Sequence, residues 1–280
     1  MHSDLHSHSV YSDGTWTPAQ LVAEAKRLGL VIALTDHNTV AGLPEFLAEA
    51  ERQGVTGVPG IEFTTEYGGK ELHLLGLFLR PEHYAPIEEL MGEFNRLKEI
   101  SNRELVERLN AAGYHIDYAN VQKRSLNGNI NRPHVAAELL ACGYADSMWH
   151  AFENFLGEEK GFYVPARRLQ LTDAIRFIRE LGALPVLAHP LQELNEAELR
   201  ALLPAAVEAG LIAMEVMHCS YTDERIAVAR QIAEDFGLLP SGGSDFHGEV
   251  KEDVSLAVGK GNLSIPLQFY TDLLERSKTL

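Results

Sequence analysis

The chain has 280 residues, 45% hydrophobic and 23% charged, which is enough apolar content to bury a sizeable core and excludes wholesale disorder. It carries 24 basic against 40 acidic residues, a net charge of -16, which argues against a general nucleic-acid binder and predicts no DNA-binding surface. Two cysteines, Cys142 and Cys219, cannot form a disulfide framework, Met1-His2-Ser3-Asp4 lacks signal-peptide character, and no apolar run reaches the roughly 20 residues of a membrane span. A reduced cytoplasmic protein without a membrane partner is the expectation.

Short apolar runs alternate with amphipathic stretches, the pattern of β-α units around a mostly parallel sheet. A first strand is expected over residues 2–6. A helix follows, with Thr17 as N-cap, Pro18 at N1, Gln20 completing a capping box and Gly29 closing it. The run Leu30-Val31-Ile32-Ala33-Leu34-Thr35 reads as a strand buried on both faces. A helix over 43–53 leads to strands over 57–63 and 71–78. From 80 to 165 the pattern is helical only, with candidates at 87–112, 132–142 and 145–156, and reads as an insertion. The β-α rhythm then resumes with helices over 172–181, 196–208, 223–236 and 266–277 and strands over 184–188, 211–217 and 238–241. This divides the chain into a barrel (1–79 and 166–280) and a helical insertion (80–165).

The polar residues fall where strands end: His6 and His8, then Asp13; Asp36 and His37; Glu62; His189; Glu215 and His218; Asp245 and His247. His73 lies near the start of strand four. In a parallel α/β barrel the C-terminal strand ends share the face that holds the active site. His6 and His8 are two apart on a strand and point the same way. Imidazoles and carboxylates suit Zn, Mn or Fe, and this many exceed the needs of one tetrahedral site. Two or three metals bridged by a carboxylate such as Glu62 are therefore expected. Taken singly, each has a plainer role: Asp36 serves backbone, His73 sits satisfied in the core, and Arg132-Pro133-His134 opens a helix with Pro at N1.

The series Asp4-Leu5-His6-Ser7-His8 with Ser12-Asp13-Gly14, Thr35-Asp36-His37-Asn38-Thr39, Gly60-Ile61-Glu62, His73, Ala188-His189-Pro190 and Gly243-Ser244-Asp245-Phe246-His247 resembles the PHP (polymerase and histidinol phosphatase) family of metal-dependent phosphoesterases. The resemblance implies a distorted (β/α)7 barrel and three divalent ions per chain (Mn, Fe or Zn). It makes His6, His8, Glu62 and Asp245 ligands of the first ion. Glu62, His73 and His134 would hold the second, and Asp13, His37 and His247 the third. Only the resemblance brings His134, in the insertion, to the rim. Within the insertion, Ile130-Asn131-Arg132-Pro133-His134 and Lys160-Gly161-Phe162-Tyr163-Val164 are similar to a bacterial branch acting on nucleoside 3′,5′-bisphosphates and on 5′ ends of short RNAs.

The expected reaction is hydrolysis of a phosphate ester by metal-activated water. Arg132 and Lys160 are the expected phosphate contacts, and His189 either protonates the leaving oxygen or binds phosphate. The acidic chain does not forbid this: three divalent ions against Asp13, Glu62 and Asp245 leave a local charge of about +3. The expected partner is a small phosphorylated nucleotide or a short RNA end. Histidinol phosphate and cyclic phosphates are alternative substrates. An amidohydrolase-type C–N hydrolase competes on the His-x-His opening, but Glu62 rather than a modified lysine is the natural bridge here. A non-catalytic PHP binding module is the remaining rival, disfavoured by a complete ligand set.

Overall fold

The computed structural model describes residues 2–125 and 130–280. Met1 of the expected barrel segment, and positions 126–129 of the expected insertion, lie outside the described residues. The chain opens with β1 (His2–Asp4), α1 (Pro18–Leu28), β2 (Leu30–Leu34), α2 (Leu43–Gln53) and β3 (Gly57–Tyr67). The punctuation of α1 is as expected: Thr17 and Gln20 form the capping box, and Gly29 ends the helix in a left-handed conformation. All five residues of β2 are buried, because helices cover one face and the barrel interior the other.

β4 (Lys70–Leu77) runs antiparallel to β3, and this departs from a purely parallel barrel. The cause is local. Gly68 and Gly69 take φ of 60° and 80°, the two positive values a tight hairpin turn requires. The reversal carries the start of β4 to the rim where its neighbours end. His73 pairs with Thr64 on β3 for this reason.

The helical stretch comprises α3 (Pro81–Ala111), α4 (Tyr118–Lys123), α5 (Arg132–Ala141) and α6 (Met148–Ala151), the last running into a π-helical turn at Phe152–Leu156. α3 begins about six residues before the helical periodicity does, since its first turns carry Pro81 and Pro86. Leu105, Leu109, Val121, Val135, Leu139 and Leu156 form a core of their own here, distinct from the barrel core. The chain then returns through β5 (Leu169–Gln170), α7 (Leu171–Glu180), β6 (Leu184–Ala188), α8 (Pro190–Glu193), α9 (Glu196–Ala209), β7 (Ala213–His218), α10 (Asp223–Asp235), β8 (Leu239–Gly243) and α11 (Leu267–Ser277).

The sheet order is β1-β2-β3-β4-β6-β7-β8, with the two-residue β5 paired to the far end of β3. Beyond β1 and β8 the backbone continues the pairing: Leu5 N–H donates to Gly242 O (3.1 Å), Asp245 N–H to His6 O (2.9 Å) and His8 N–H to Phe246 O (2.9 Å). These bonds nearly close a seven-stranded barrel. Alternate strand residues supply two apolar layers. Leu30, Ile32 and Leu34 pack with the outer helices, whereas Val31, Ala33, Leu75, Leu77, Leu184 and Val186 pack together with Leu273 of α11. Among the described residues no helix is long and apolar enough to cross a membrane.

Candidate metal centre

Two buried carboxylates shape the loops that carry the rim. Asp36 accepts hydrogen bonds from Ser9 N–H (2.7 Å), Ser9 Oγ–H (2.6 Å) and Ser12 Oγ–H (2.6 Å), which folds residues 9–13 inward. Asp4 accepts from Ser244 N–H (2.9 Å), Ser244 Oγ–H (2.6 Å) and Ala257 N–H (2.8 Å), which sets the turn after β8. Asp245 on that turn takes φ of 53°, and His189 at the end of β6 takes 28°, backbone strain of the kind that surrounding structure must hold in place. Gly243 must lack a side chain, since a Cβ there would lie 2.2 Å from His6 Cβ.

Glu62 is the centre of the arrangement. It is fully buried, and its two oxygens lie within 3.2 Å of five imidazoles: His6 (3.1 Å), His8 (3.1 Å), His37 (3.1 Å), His73 (2.8 Å) and His189 (3.2 Å). Around it three groups of donor atoms are close enough to share cations: His6, His8, Glu62 and Asp245; His37, Glu62 and His73; and His8, Asp13, His37 and His247. In the first group, the His6 and His8 Nε2 atoms and the Glu62 Oε2 lie 3.1 Å apart, with Asp245 Oδ1 3.5 and 3.3 Å from the two imidazoles. A tetrahedral ion bound at about 2.0–2.1 Å has ligand–ligand edges of about 3.3–3.4 Å. In the third group Asp13 lies 3.4 Å from His247 Nε2 and 3.8 Å from His37 Nε2.

Divalent cations fit this donor set on an independent ground. His189 Nδ1 is buried without a hydrogen-bond partner, and the close contacts that Asp13 Oδ1, His37 Nδ1, Glu62 Oε2 and His73 Nδ1 make with the ionisable groups around them lack hydrogen-bond geometry. Buried polar atoms that crowd together without hydrogen bonding mark a site that a ligand completes. The protonation states of the metal-free site follow from the same crowding. Burial pushes the Glu62 carboxyl up, but the charges of His6, His37 and His73 outweigh it and hold the group well below the usual range. Burial lowers His8 and His73, yet the carboxylates around them win. Bonds to Asp245 and Glu62 lift His8 to about 9, and Glu62 and Glu71 lift His73 to about 10. Burial, helped by the charges of His8 and His73, draws His37 well below its ordinary value despite Glu62 and Asp13.

The expected rim residues therefore meet, with one exception. His134 is not in any of the three groups. Its Nδ1 accepts the Asn131 N–H (3.0 Å) in the capping box of α5, and its ring faces the Ser12 backbone and Asp13. The plainer role of Arg132-Pro133-His134 as a helix start is realised, and His37 stands beside Glu62 and His73 instead. Lys160 also departs from expectation: it pairs with its neighbour Glu159 (3.3 Å) and does not line the cavity over the rim.

That cavity, about 1310 Å³, runs from Asp13, His73 and His189 to the helical segment. Arg132 lines it, stacked on the Tyr163 ring at 4.7 Å, as do Lys98, Arg167 and Arg168. Lys98 donates to Asn131 Oδ1 (2.7 Å), and burial lowers its pKa to about 8. Nothing in the helical periodicity of α3 marks Lys98 as a site residue. Arg167-Arg168 beside Pro165 was a visible cue to a basic edge. Glu215 and His218 were visible at a strand end, but their role is supporting: Glu215 lies 3.1 Å from His6 Nδ1 and accepts the His189 N–H (2.8 Å), and His218 lies 3.3 Å from Asp245. Such carboxylate–imidazole contacts fix the ring that faces a metal.

The PHP domain profile matches residues 4–177. The chain is 32% identical over 246 residues to a Haemophilus influenzae protein named 5′-3′ exoribonuclease, covering 87% of this chain and 89% of that one. It is 32% identical over 260 residues to an Eggerthella lenta phosphoribosyl 1,2-cyclic phosphate 1,2-diphosphodiesterase (89% and 95% covered). It is also 32% identical over 257 residues to a Chromobacterium violaceum 3′,5′-nucleoside bisphosphate phosphatase (90% of each covered). A solved structure described as a metal-dependent phosphoesterase, from Bifidobacterium adolescentis, superposes with a TM-score of 0.87 at 28% identity, covering 98% of this chain and 96% of that one.

Proposed function

This chain belongs to the PHP family of metal-dependent phosphoesterases, hydrolases of phosphoester bonds, and from that premise we propose that it removes the 3′-phosphate of nucleoside 3′,5′-bisphosphates. Action on the 5′ ends of short RNA extends the same reading. The observation that carries it is the juxtaposition of the Glu62 cluster with a cavity of about 1310 Å³, room for a nucleotide, whose mixed-charge lining includes Lys98, Arg132, Arg167 and Arg168. Three divalent ions are proposed, of Mn, Fe or Zn. The first is held by His6, His8, Glu62 and Asp245, the second by Glu62 and His73, and the third by Asp13, His37 and His247, so that each neutral imidazole gives its one lone pair to one ion.

When bound, such ions lower the pKa of water toward neutrality and offset charge on phosphate oxygens. The chain supplies the rest. Arg132 presents a planar guanidinium, fixed by stacking, to a phosphate. His189 brings a buried Nδ1 that lacks a partner, suited to hold a phosphate oxygen or to pass a proton to the leaving oxygen. Residues 80–165 act as a lid over a barrel made of 1–79 and 166–280, and the working compartment is the cytoplasm.

A phosphate-release screen with metal-reconstituted protein tests the reading. The panel is adenosine 3′,5′-bisphosphate, nucleoside monophosphates, histidinol phosphate and a cyclic phosphodiester. Preferential release from the bisphosphate is expected. Turnover confined to the cyclic diester would favour the activity named for the Eggerthella relative, and turnover confined to histidinol phosphate would equally overturn the substrate assignment.

A further inference from the structure

One carboxylate at the cavity mouth has more partners than its position at a hairpin end explains. Glu71 lies two residues before His73 on β4, so both side chains share a face. Glu71 Oε1 is 3.3 Å from His73 Nε2, while His73 Nδ1 is 2.8 Å from Glu62 Oε1. The ring is thus held between two carboxylates, one at each nitrogen. The same Glu71 accepts from Arg132 Nη2 at 3.3 and 3.4 Å and from Arg168 Nη2 at 2.5 Å. Arg132 comes from α5 and Arg168 from the segment before β5, so three distant stretches of chain meet on one side chain.

We infer that Glu71 is a positioning residue that sets both arms of the site at once: the guanidiniums that meet the phosphate and the imidazole that faces Glu62. This rests on the phosphoesterase reading above. The charges support it. One carboxylate against two guanidiniums leaves a surplus positive charge at the cavity mouth, available to a substrate oxygen. Without the carboxylate, the guanidiniums repel each other and the ring loses the contact that fixes which nitrogen turns toward Glu62.

The test uses the full-length, metal-reconstituted chain with Glu71→Gln, which keeps size and removes charge. With adenosine 3′,5′-bisphosphate, KM is expected to rise about tenfold, with kcat changing less. In calorimetric titration, manganese affinity at the weakest site is expected to fall about tenfold. In an Arg132→Ala background the KM effect of Glu71→Gln shrinks below about twofold, while the manganese effect persists. A purely structural role predicts neither the split nor the loss of additivity. Wild-type KM and manganese affinity in Glu71→Gln would overturn the inference, as would a KM effect fully additive with Arg132→Ala. If Glu71→Gln fails to fold, Glu71→Asp, which retains charge but retracts it by one methylene, must raise KM and weaken manganese binding by about three-fold relative to wild type, and unchanged values contradict the inference. Should the wild type release phosphate from no ester, the hydrolytic reading fails separately, and the manganese titration still decides for or against Glu71.

Discussion

The barrel rim and the helical segment reach the same cavity by different means. At the rim, each side chain is placed by a strand end and by a buried hydrogen bond, as Asp36 places the loop to Asp13 and Asp4 places the loop to Asp245. In the helical segment, position follows from the packing of helices on a separate core, so neighbours in sequence separate in role. Arg132 lines the cavity, whereas His134, two residues on, caps α5. Chemistry built on strand ends is held by backbone pairing and buried hydrogen bonds. Chemistry built on the insertion depends on how the helices sit.

The sharpest way to break the comparison is to remove the group that five rim imidazoles share. Glu62→Gln is expected to lower kcat on the order of a thousandfold and to deplete bound metal, as measured by turnover and elemental analysis. A variant that keeps its metal and its rate would show that the cluster is not organised by this carboxylate.

The rim should also resist the smallest addition. Gly243→Ala places a methyl group against His6 Cβ and backbone, so stability should fall by about 1–3 kcal/mol and metal content should drop with it. Chemical denaturation of the metal-free chain and elemental analysis of the loaded chain read the two effects.

Acidity separates the two regions further. In the metal-free chain burial opposes charge on His8 and His73, but Glu62 and its neighbours raise them to about 9 and about 10. A raised imidazole pKa stabilises the fold fully below the unfolded value near 6.5, and that contribution is lost as pH climbs through 9 and 10. The melting temperature of the metal-free chain should therefore fall across that window. Against burial, Glu62, Glu215 and Asp245 likewise raise His6 well above its ordinary value, so loading at pH 7.5 should release about three protons from His6, His8 and His73, measurable by calorimetry in buffers of different ionisation enthalpy. His134, which burial holds below its ordinary value, contributes none.

The smallest effect belongs to the insertion. His134→Ala should leave metal content unchanged and cost about 1 kcal/mol through the lost cap at α5. Loss of one metal equivalent would instead return His134 to the ligand set.

These differences account for what could be read from the residues. The strand-end positions of His6, His8, His37 and Asp245 follow from β-α periodicity, because a strand end has one address in a barrel, whereas Glu62 lies inside β3, which runs on to Tyr67 beyond its pairing with β2. His73 was found at the rim for a reason the periodicity did not contain: the Gly68-Gly69 hairpin reverses β4. Capping chemistry at α1 was legible because it is local. Lys98 and Glu71 were not, and the Arg167-Arg168 pair marked only a basic edge, because their roles depend on contacts between α3, β4, α5 and the segment before β5 that no local pattern encodes. The pairing of Lys160 with Glu159 was not legible either, since sequence similarity in a short turn does not fix where a charge points.

The central claim, that Glu62 gathers cations with the rim imidazoles, is tested most directly by anomalous diffraction from crystals loaded with manganese. The account predicts peaks within about 2.0–2.3 Å of donor atoms in His6, His8, Glu62 and Asp245 and in His73 and Glu62. Ordered manganese bound elsewhere, with no peak in contact with Glu62, would contradict it.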